Sequence, residues 1–434
     1  MHISLDSALG RQRRLNQIGE TITSIAAPTA AYSLRSLTGG DPLAVRVRRS
    51  SNDALAEKDF TVSGITSGAL LNHINEDVIT EQSDFTSGVD GYAKDSHGSV
   101  AREATYEGKS DVLNYAHNGG RFAFKKTTVA LERTSSYTIT FEYYADTAFN
   151  NQSWGVERSF PTGGRPTISS NSPTVVSDAW TSVTLNVPSG RTTGTQILSL
   201  RIENHSSTSD YGTTTNGSVR IKNIVVTQTT GSGFVTTWYD QSGNNNNLTQ
   251  TDTDKQPAIA TNGSLVTTSS KPALKFDGTD ALLEKETFTQ GTLSQPNTFF
   301  AVAKLDSNDD TNRKIFDSHD STARNMLFLS PTNAGEFAFF ATSVVTTGET
   351  ADANNNLFTA LYNGTSSVLR VNAVQKAASN VGTMSMIGLI IGESHNKNSN
   401  IWKGTIQEII VYNSNQTSQF TSLETNIKNN YSIS

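Results

Sequence analysis

Alternation of apolar and polar positions dominates the chain. Tyr137, Ile139, Phe141 and Tyr143 stand two apart, as do Val183, Leu185 and Val187, and then Leu198, Leu200 and Ile202. Each run predicts a strand with one buried face. Val219 and Ile221 keep one phase, which is lost after Lys222, and this predicts a bulge near Asn223. Nearer the start, Ala31–Leu34 and Leu43–Arg48 read as short strands, with Leu43, Val45 and Val47 on one face and Arg46, Arg48 and Arg49 on the polar side or its end. Beyond Gly231, strands are predicted at Gly233–Tyr239, Ala273–Phe276, Thr298–Lys304, Met326–Leu329, Glu336–Ala341, Leu357–Tyr362, Val368–Asn372, Ile387–Ile391 and Thr405–Tyr412. Phe299 to Val302 is uninterrupted apolar sequence, as in a central strand covered on both faces. Two segments have a helical period instead. Leu15, Ile18, Ile22 and Ile25 predict a helix over residues 4–26 that Pro28 stops, and Phe420, Leu423, Ile427 and Tyr431 predict a closing helix from about Thr417. No helix alternates with the strands. The fold class is therefore all-β: two antiparallel β-sandwich or jelly-roll domains with a short N-terminal helix.

Composition narrows the picture. The 434 residues allow two or three domains, and the hydrophobic share is only 35 %, with Ser, Thr, Asn and Gly filling the difference. β-branched and aromatic residues still recur at short intervals, which argues against disorder. There is no cysteine, so disulfides, thiolate metal sites and cysteine nucleophiles are excluded. The net charge of −6 does not recruit nucleic acid. No apolar run approaches the roughly 18 residues of a membrane span, and the first 25 residues lack an apolar signal-peptide region, so neither membrane insertion nor secretion is expected.

Three local patterns are familiar. Ala31-Tyr32-Ser33-Leu34-Arg35 is followed by Val45-Arg46-Val47-Arg48-Arg49-Ser50-Ser51. Gly233-Phe234-Val235-Thr236-Thr237-Trp238-Tyr239-Asp240-Gln241-Ser242-Gly243-Asn244 is the second. Lys271-Pro272-Ala273-Leu274-Lys275-Phe276-Asp277-Gly278-Thr279-Asp280 is the third, with Trp402-Lys403-Gly404 and Ile406–Tyr412 further on. Together they resemble the concanavalin/laminin-G-like sandwiches of tailed-bacteriophage structural proteins. Trp238 to Asn244 also resembles part of the α-L-arabinofuranosidase B-type catalytic fold. In the phage sandwiches the first pattern runs into the second within a few tens of residues. Here a long segment separates them, and its ends, Asp84–Tyr92 and Val219–Val226, look like those of a carbohydrate-binding-module jelly roll. The resemblance thus implies a helical anchor at 1–27, a discontinuous sandwich at 28–83 plus 229–434, and an inserted jelly roll at 84–228. Insertion is easy where the host's chain ends lie close together.

What the resemblance implies about function is a virion protein on the particle exterior, a fibre, spike or decoration, assembled in the host cytoplasm. Its expected partners are other virion proteins, copies of itself in a homo-oligomer such as a trimer, and host-surface glycans. Arg11, Arg13, Arg14, Leu15, Ile18, Ile22 and Ile25 are the expected assembly anchor. The rival is a bacterial carbohydrate-active protein, a glycosidase or a lectin. A retaining glycosidase needs two carboxyls about 5–5.5 Å apart, and Asp240, Asp277, Asp280 and Glu408 are the nearest candidates. The resembling enzymes carry a vicinal disulfide at the sugar site, which this chain cannot make, so no catalysis is expected and Asp240 reads as a turn residue. Trp154, Tyr211, Trp238 and Tyr239 are candidate sugar platforms, while Trp180 and Trp402 read as structural. Asp306, Asn308 and Asp310 alternate as oxygen ligands of calcium can. Thr311 stands where an EF-hand needs glycine and no Glu closes the loop, so no cofactor is required.

Overall fold

The computed structural model describes residues 20–50, 57–75, 78–94, 98–118, 123–132, 135–150, 152–159, 173–187, 195–203, 216–308, 312–330, 335–397 and 399–434. The protein is all-β and antiparallel, and among the described residues one helix exceeds two turns, Phe420–Tyr431. Strands β1 (Ala30–Ser33), β2 (Leu43–Arg49) and β3 (Glu57–Thr61) open the chain. The chain then builds β4 (Val78–Ser83), β5 (Tyr92–Lys94), β6 (Ser99–Tyr106), β7 (Lys109–Asn118), β8 (Ala123–Glu132), β9 (Ser136–Ala145), β10 (Ser153–Ser159), β11 (Thr181–Val187), β12 (Thr195–Glu203) and β13 (Asn216–Thr230). These lie in two sheets, β11-β9-β13-β7-β6 with β4 beside β13, and β10-β12-β8-β5. With β14 (Gly233–Trp238) the chain rejoins β2, and all later strands but one short hairpin extend the network that β1–β3 began.

Each set of sheets encloses its own apolar core. Phe141, Tyr143, Trp154, Leu185 and Ile221 belong to one, and Trp238, Phe299, Phe316, Phe358 and Trp402 to the other. The strand Asn297–Leu305 explains the uninterrupted run Phe299–Val302. Phe299 and Ala301 face the large core, whereas Phe300 and Val302 face a second layer built from the helix Phe420–Tyr431. That helix lays Phe420, Leu423, Ile427 and Tyr431 on the sheet, as its spacing predicts. The bulge near Asn223 is present. The pairing of β13 with β9 slips between Lys222 and Val225, and Asn223 has φ of 55°.

Three expectations are corrected. Helix 4–26 is not continuous: Thr21 is extended and caps a single turn, Ile22–Ile25, through a reciprocal capping box with Ser24. Within it Ile22 is buried and Ile25 packs beside it against the chain's own C-terminal helix layer, so these two anchor positions serve the sandwich. Arg11, Arg13, Arg14, Leu15 and Ile18 lie outside the described residues. Leu43 does not share a face with Val45 and Val47; it is 43 % exposed, because the pairing of β2 with β3 slips between Leu43 and Val45. The segment 78–83, expected in the sandwich, is β4 and pairs with Ile224–Gln228 of β13.

The stretch Trp238–Asn246 stitches the interrupted sandwich together. Asp240 accepts the backbone N–H groups of Ala31, Ser242 and Asn246, each at 2.9 Å, and the Ser242 hydroxyl at 2.8 Å. Gln241 donates to the carbonyls of Ser33 and Arg35 and accepts the Leu37 N–H. Asn244 and Asn246 donate to the Thr29 carbonyl. The first two sequence patterns are therefore halves of one hydrogen-bonded corner, although more than two hundred positions of sequence lie between its partners.

Candidate functional site

The outer face of the β11-β9-β13-β7-β6 sheet carries a cluster of partly exposed aromatic and paired charged side chains. Alternation puts it there. On β9, Tyr137, Ile139, Phe141, Tyr143 and Ala145 are buried, which turns Thr138, Thr140, Glu142 and Tyr144 outward. On β13, Val219 and Ile221 are buried and Arg220 and Lys222 point out. The β6–β7 hairpin turns at Glu107-Gly108, with φ of 42° and 78°, and Asp111 on β7 also has a left-handed φ of 57°. The hairpin tip consequently leans over the outer face. Lys222 Nζ donates to the Ser110 carbonyl at 2.6 Å, and Trp180 Nε1 donates to the Glu107 carbonyl at 3.2 Å.

Beneath and beside that tip, Tyr106 meets Tyr144 edge-on at 5.2 Å, and Tyr144 meets Trp180 edge-on at 5.9 Å. All three rings are half-buried. The Arg220 guanidinium lies 4.0 Å from the Tyr106 ring centre and pairs with Asp146 at 2.7 Å. Glu103 accepts from Asn114 at 2.6 Å, and Glu142 pairs with Lys109 at 2.6 Å. The Lys109 ammonium, donating to the Glu142 carboxylate, holds that carboxyl below its ordinary range. Rings offering apolar faces beside fixed carboxylates, an amide and cations suit a ligand with both C–H faces and hydroxyls.

The expected platforms lie elsewhere. Trp154 is fully buried, edge-on to Phe141 at 4.8 Å and Tyr143 at 5.0 Å, because β10 turns it into the core; its polar sequence neighbours are misleading. Trp238 is fully buried 6.0 Å from Tyr32. Neither can offer a face to a sugar in this fold. Tyr239 is partly exposed, but its hydroxyl donates to Asp59 at 2.6 Å, and Asp59 also pairs with Arg46 at 2.7 Å. Burial, and then that hydrogen bond to Asp59, push Tyr239 up to about 12. Tyr211 lies outside the described residues. Trp402 is buried, as read from sequence, whereas Trp180 joins the outer cluster. Tyr106 and Tyr144 were missed. Tyr144 was detectable as an aromatic at a polar-phase position, next to Tyr143 of the buried phase.

The two calcium candidates among the described residues have other partners. Asp306 pairs with Lys275, and Asn308 turns its amide nitrogen to the Gly335 and Ala351 carbonyls, both at 3.1 Å. Asp310 lies outside the described residues. Of the carboxyls weighed for catalysis, Asp240 holds the corner described above. Glu408, 1 % exposed, is bound by Arg35 at 2.7 Å and by the Ser33 and Tyr431 hydroxyls. Asp277 accepts the Thr279 N–H at 2.8 Å. Asp280 is raised, chiefly by burial and then by Asp277. Glu393, which the sequence did not single out, is 1 % exposed, and burial pushes it up to about 7.

No protein family matches this chain, and no curated protein does. Solved structures share only slight likeness. The CBM22-1 xylan-binding domain of Xyn10C from Paenibacillus barcinonensis aligns with 35 % of this chain and 96 % of its own, at 12 % identity and a TM-score of 0.28. Domain 4 of AbnA, an extracellular GH43 arabinanase from Geobacillus stearothermophilus, in complex with arabinotriose, aligns with 37 % and 80 % at 14 % identity and a TM-score of 0.30. Trypanosoma rangeli sialidase aligns with 44 % and 30 % at 13 % identity and a TM-score of 0.31. Likeness this slight carries no functional conclusion for this chain.

Proposed function

We propose that this chain is a structural protein of a tailed-phage particle, displayed on the exterior, whose inserted β-unit adheres to host-surface glycans through the outer face of the β9-bearing sheet. The observation that carries the binding reading is the Tyr106–Tyr144–Trp180 cluster framed by Arg220, Asp146, Glu103 and Glu142. The phage assignment rests on the three sequence patterns, and assembly through residues before Glu20, with threefold symmetry as one arrangement, belongs to the same proposal. The expected result is binding to a glycan array by the intact protein and its loss in Trp180→Ala and Tyr144→Ala. Antibody labelling of particles under the electron microscope then separates a virion component from a free lectin. Array binding unchanged by both substitutions would remove the outer face from the proposal.

A second reading, a carbohydrate-active enzyme, is favoured by Glu393, which burial raises and the nearby Asp280 raises further, in the half that resembles the arabinofuranosidases. A carboxyl near 7 is suited to general-acid work. Release of reducing sugar from arabinan by wild type and not by Glu393→Gln would favour this reading.

A further inference from the structure

The larger sandwich has a cleft of its own, far in sequence from the aromatic face. The strands Val344–Thr350 and Val374–Ser379 are each paired on one side among the described residues, with Glu336–Phe340 and Ser367–Val371 respectively. They are edges of the network, and Lys376 reaches across to Glu349 at 2.7 Å. Between them lies a cavity of about 230 Å³. Its apolar lining is Phe337, Ala351, Val371 and Val374, and its polar lining includes Asp352, Asn356 and Asn372.

The polar side is fixed in advance. Asp352 Oδ1 accepts from Asn356 Nδ2 at 2.7 Å, and Asn356 Oδ1 accepts from Asn372 Nδ2 at 2.8 Å. Asn356 is 2 % exposed. Asn372 and Ala373 form the hairpin turn with φ of 51° and 69°, and Asn372 Oδ1 accepts the Leu357 N–H at 2.9 Å. The Lys428 ammonium donates to the Asn372 carbonyl at 3.1 Å. Asp352, Asn356 and Asn372 thus line one side in a network whose geometry does not have to form on binding, which favours affinity.

We propose that this cleft binds one sugar ring of a neutral saccharide. The volume falls below the roughly 300–1,000 Å³ of sites for drug-sized ligands, which fits a single small ring. A sugar hydroxyl both donates and accepts. The lining supplies acceptors from Glu349 and Asp352 and donors from Lys376 and from Asn372, whose Nδ2 gives one hydrogen to Asn356 and keeps the other. The ring's C–H face rests on Phe337 and Val371. The Glu349–Lys376 pair is the gate residue pair that the ligand's hydroxyls would bridge. The inference stands apart from the outer face of the inserted unit, so either can fail alone.

The test is saturation-transfer NMR on the full chain with glucose, galactose, mannose, N-acetylglucosamine and arabinose, each at about 10 mM. At least one sugar is expected to show transfer, with an affinity near ~1 mM. Lys376→Met, on the exposed rim, is expected to weaken it about tenfold, and Ala351→Leu, which fills the cavity, to abolish it, while Trp180→Ala leaves it unchanged. Thermal melting checks that both cleft variants remain folded. No transfer from any of the five sugars, or transfer that persists in both folded cleft variants, overturns the proposal. Transfer lost only in Trp180→Ala assigns the sugar to the other unit and equally overturns it.

Discussion

At the scale of single residues, the clearest structural roles belong to buried carboxylates. Glu408 is held by Arg35, and removing one partner of such a buried pair strands the other's charge. Arg35→Met is expected to destabilise the protein by about 3–5 kcal/mol, measured by denaturant unfolding. Asp240→Ala leaves the N–H groups of Ala31, Ser242 and Asn246 without their acceptor and is expected to lower stability by roughly 2–4 kcal/mol. Glu393 works in the opposite sense. Its folded-state proton affinity, near 7, lies above the ordinary 4.5. Folding is therefore unpenalised below about pH 4.5, loses stability as pH rises between those values, and carries the full penalty above 7. Glu393→Gln is expected to raise the Tm at pH 8 and leave it unchanged at pH 4; equal shifts at both would mean that the carboxyl's charge is not the cause. Asp240 was legible in the sequence because its chemistry is local, an acceptor two and six positions before its donors. Glu393 was not, since nothing in its neighbours announces burial. Trp154 misled for the same reason in reverse: Gln152 and Ser153 beside it are buried too.

At the scale of elements, period and phase were legible and side was not. Alternation located β9, β11 and β13 and the bulge at Asn223, because a strand's period survives any packing. It could not say that the β6–β7 hairpin leans across the sheet, which depends on left-handed backbone at Glu107, Gly108 and Asp111 and on contacts from Lys222 and Trp180. That hairpin offers an element-scale prediction. Gly108 has φ of 78° with open space around it, so Gly108→Val introduces backbone strain without a clash. Weaker glycan binding with a Tm lowered by that strain, which costs about 1–3 kcal/mol, is the expected outcome, read from array signal and calorimetry together. The single turn Ile22–Ile25 shows the limit of a helical stripe: the apolar spacing in the sequence runs through Thr21, but Thr21 is extended and its side chain caps the start of a new turn there.

At the scale of the whole molecule, the sequence patterns implied a β-unit between two halves of another, and β4 (Val78–Ser83), ahead of the expected start at 84, pairs with β13. A fragment spanning residues 78–230 is expected to fold alone with its own cooperative melting transition; a fragment that stays unfolded would make the two cores interdependent. With Asp306 already paired to Lys275, chelation with EDTA is expected to leave the full chain's Tm unchanged. The entry and exit of the inner unit also have a mechanical meaning. Val78 faces Gln228 across one ladder, and just beyond it Gly231 donates to Asn75 while Ser232 donates to Ser50. Two covalent tethers therefore leave the host at one point, running side by side. A pull on the inner unit is divided between both, and neither strand need slide past the other, so such a load reaches the larger sandwich at a doubled root instead of through a single thread.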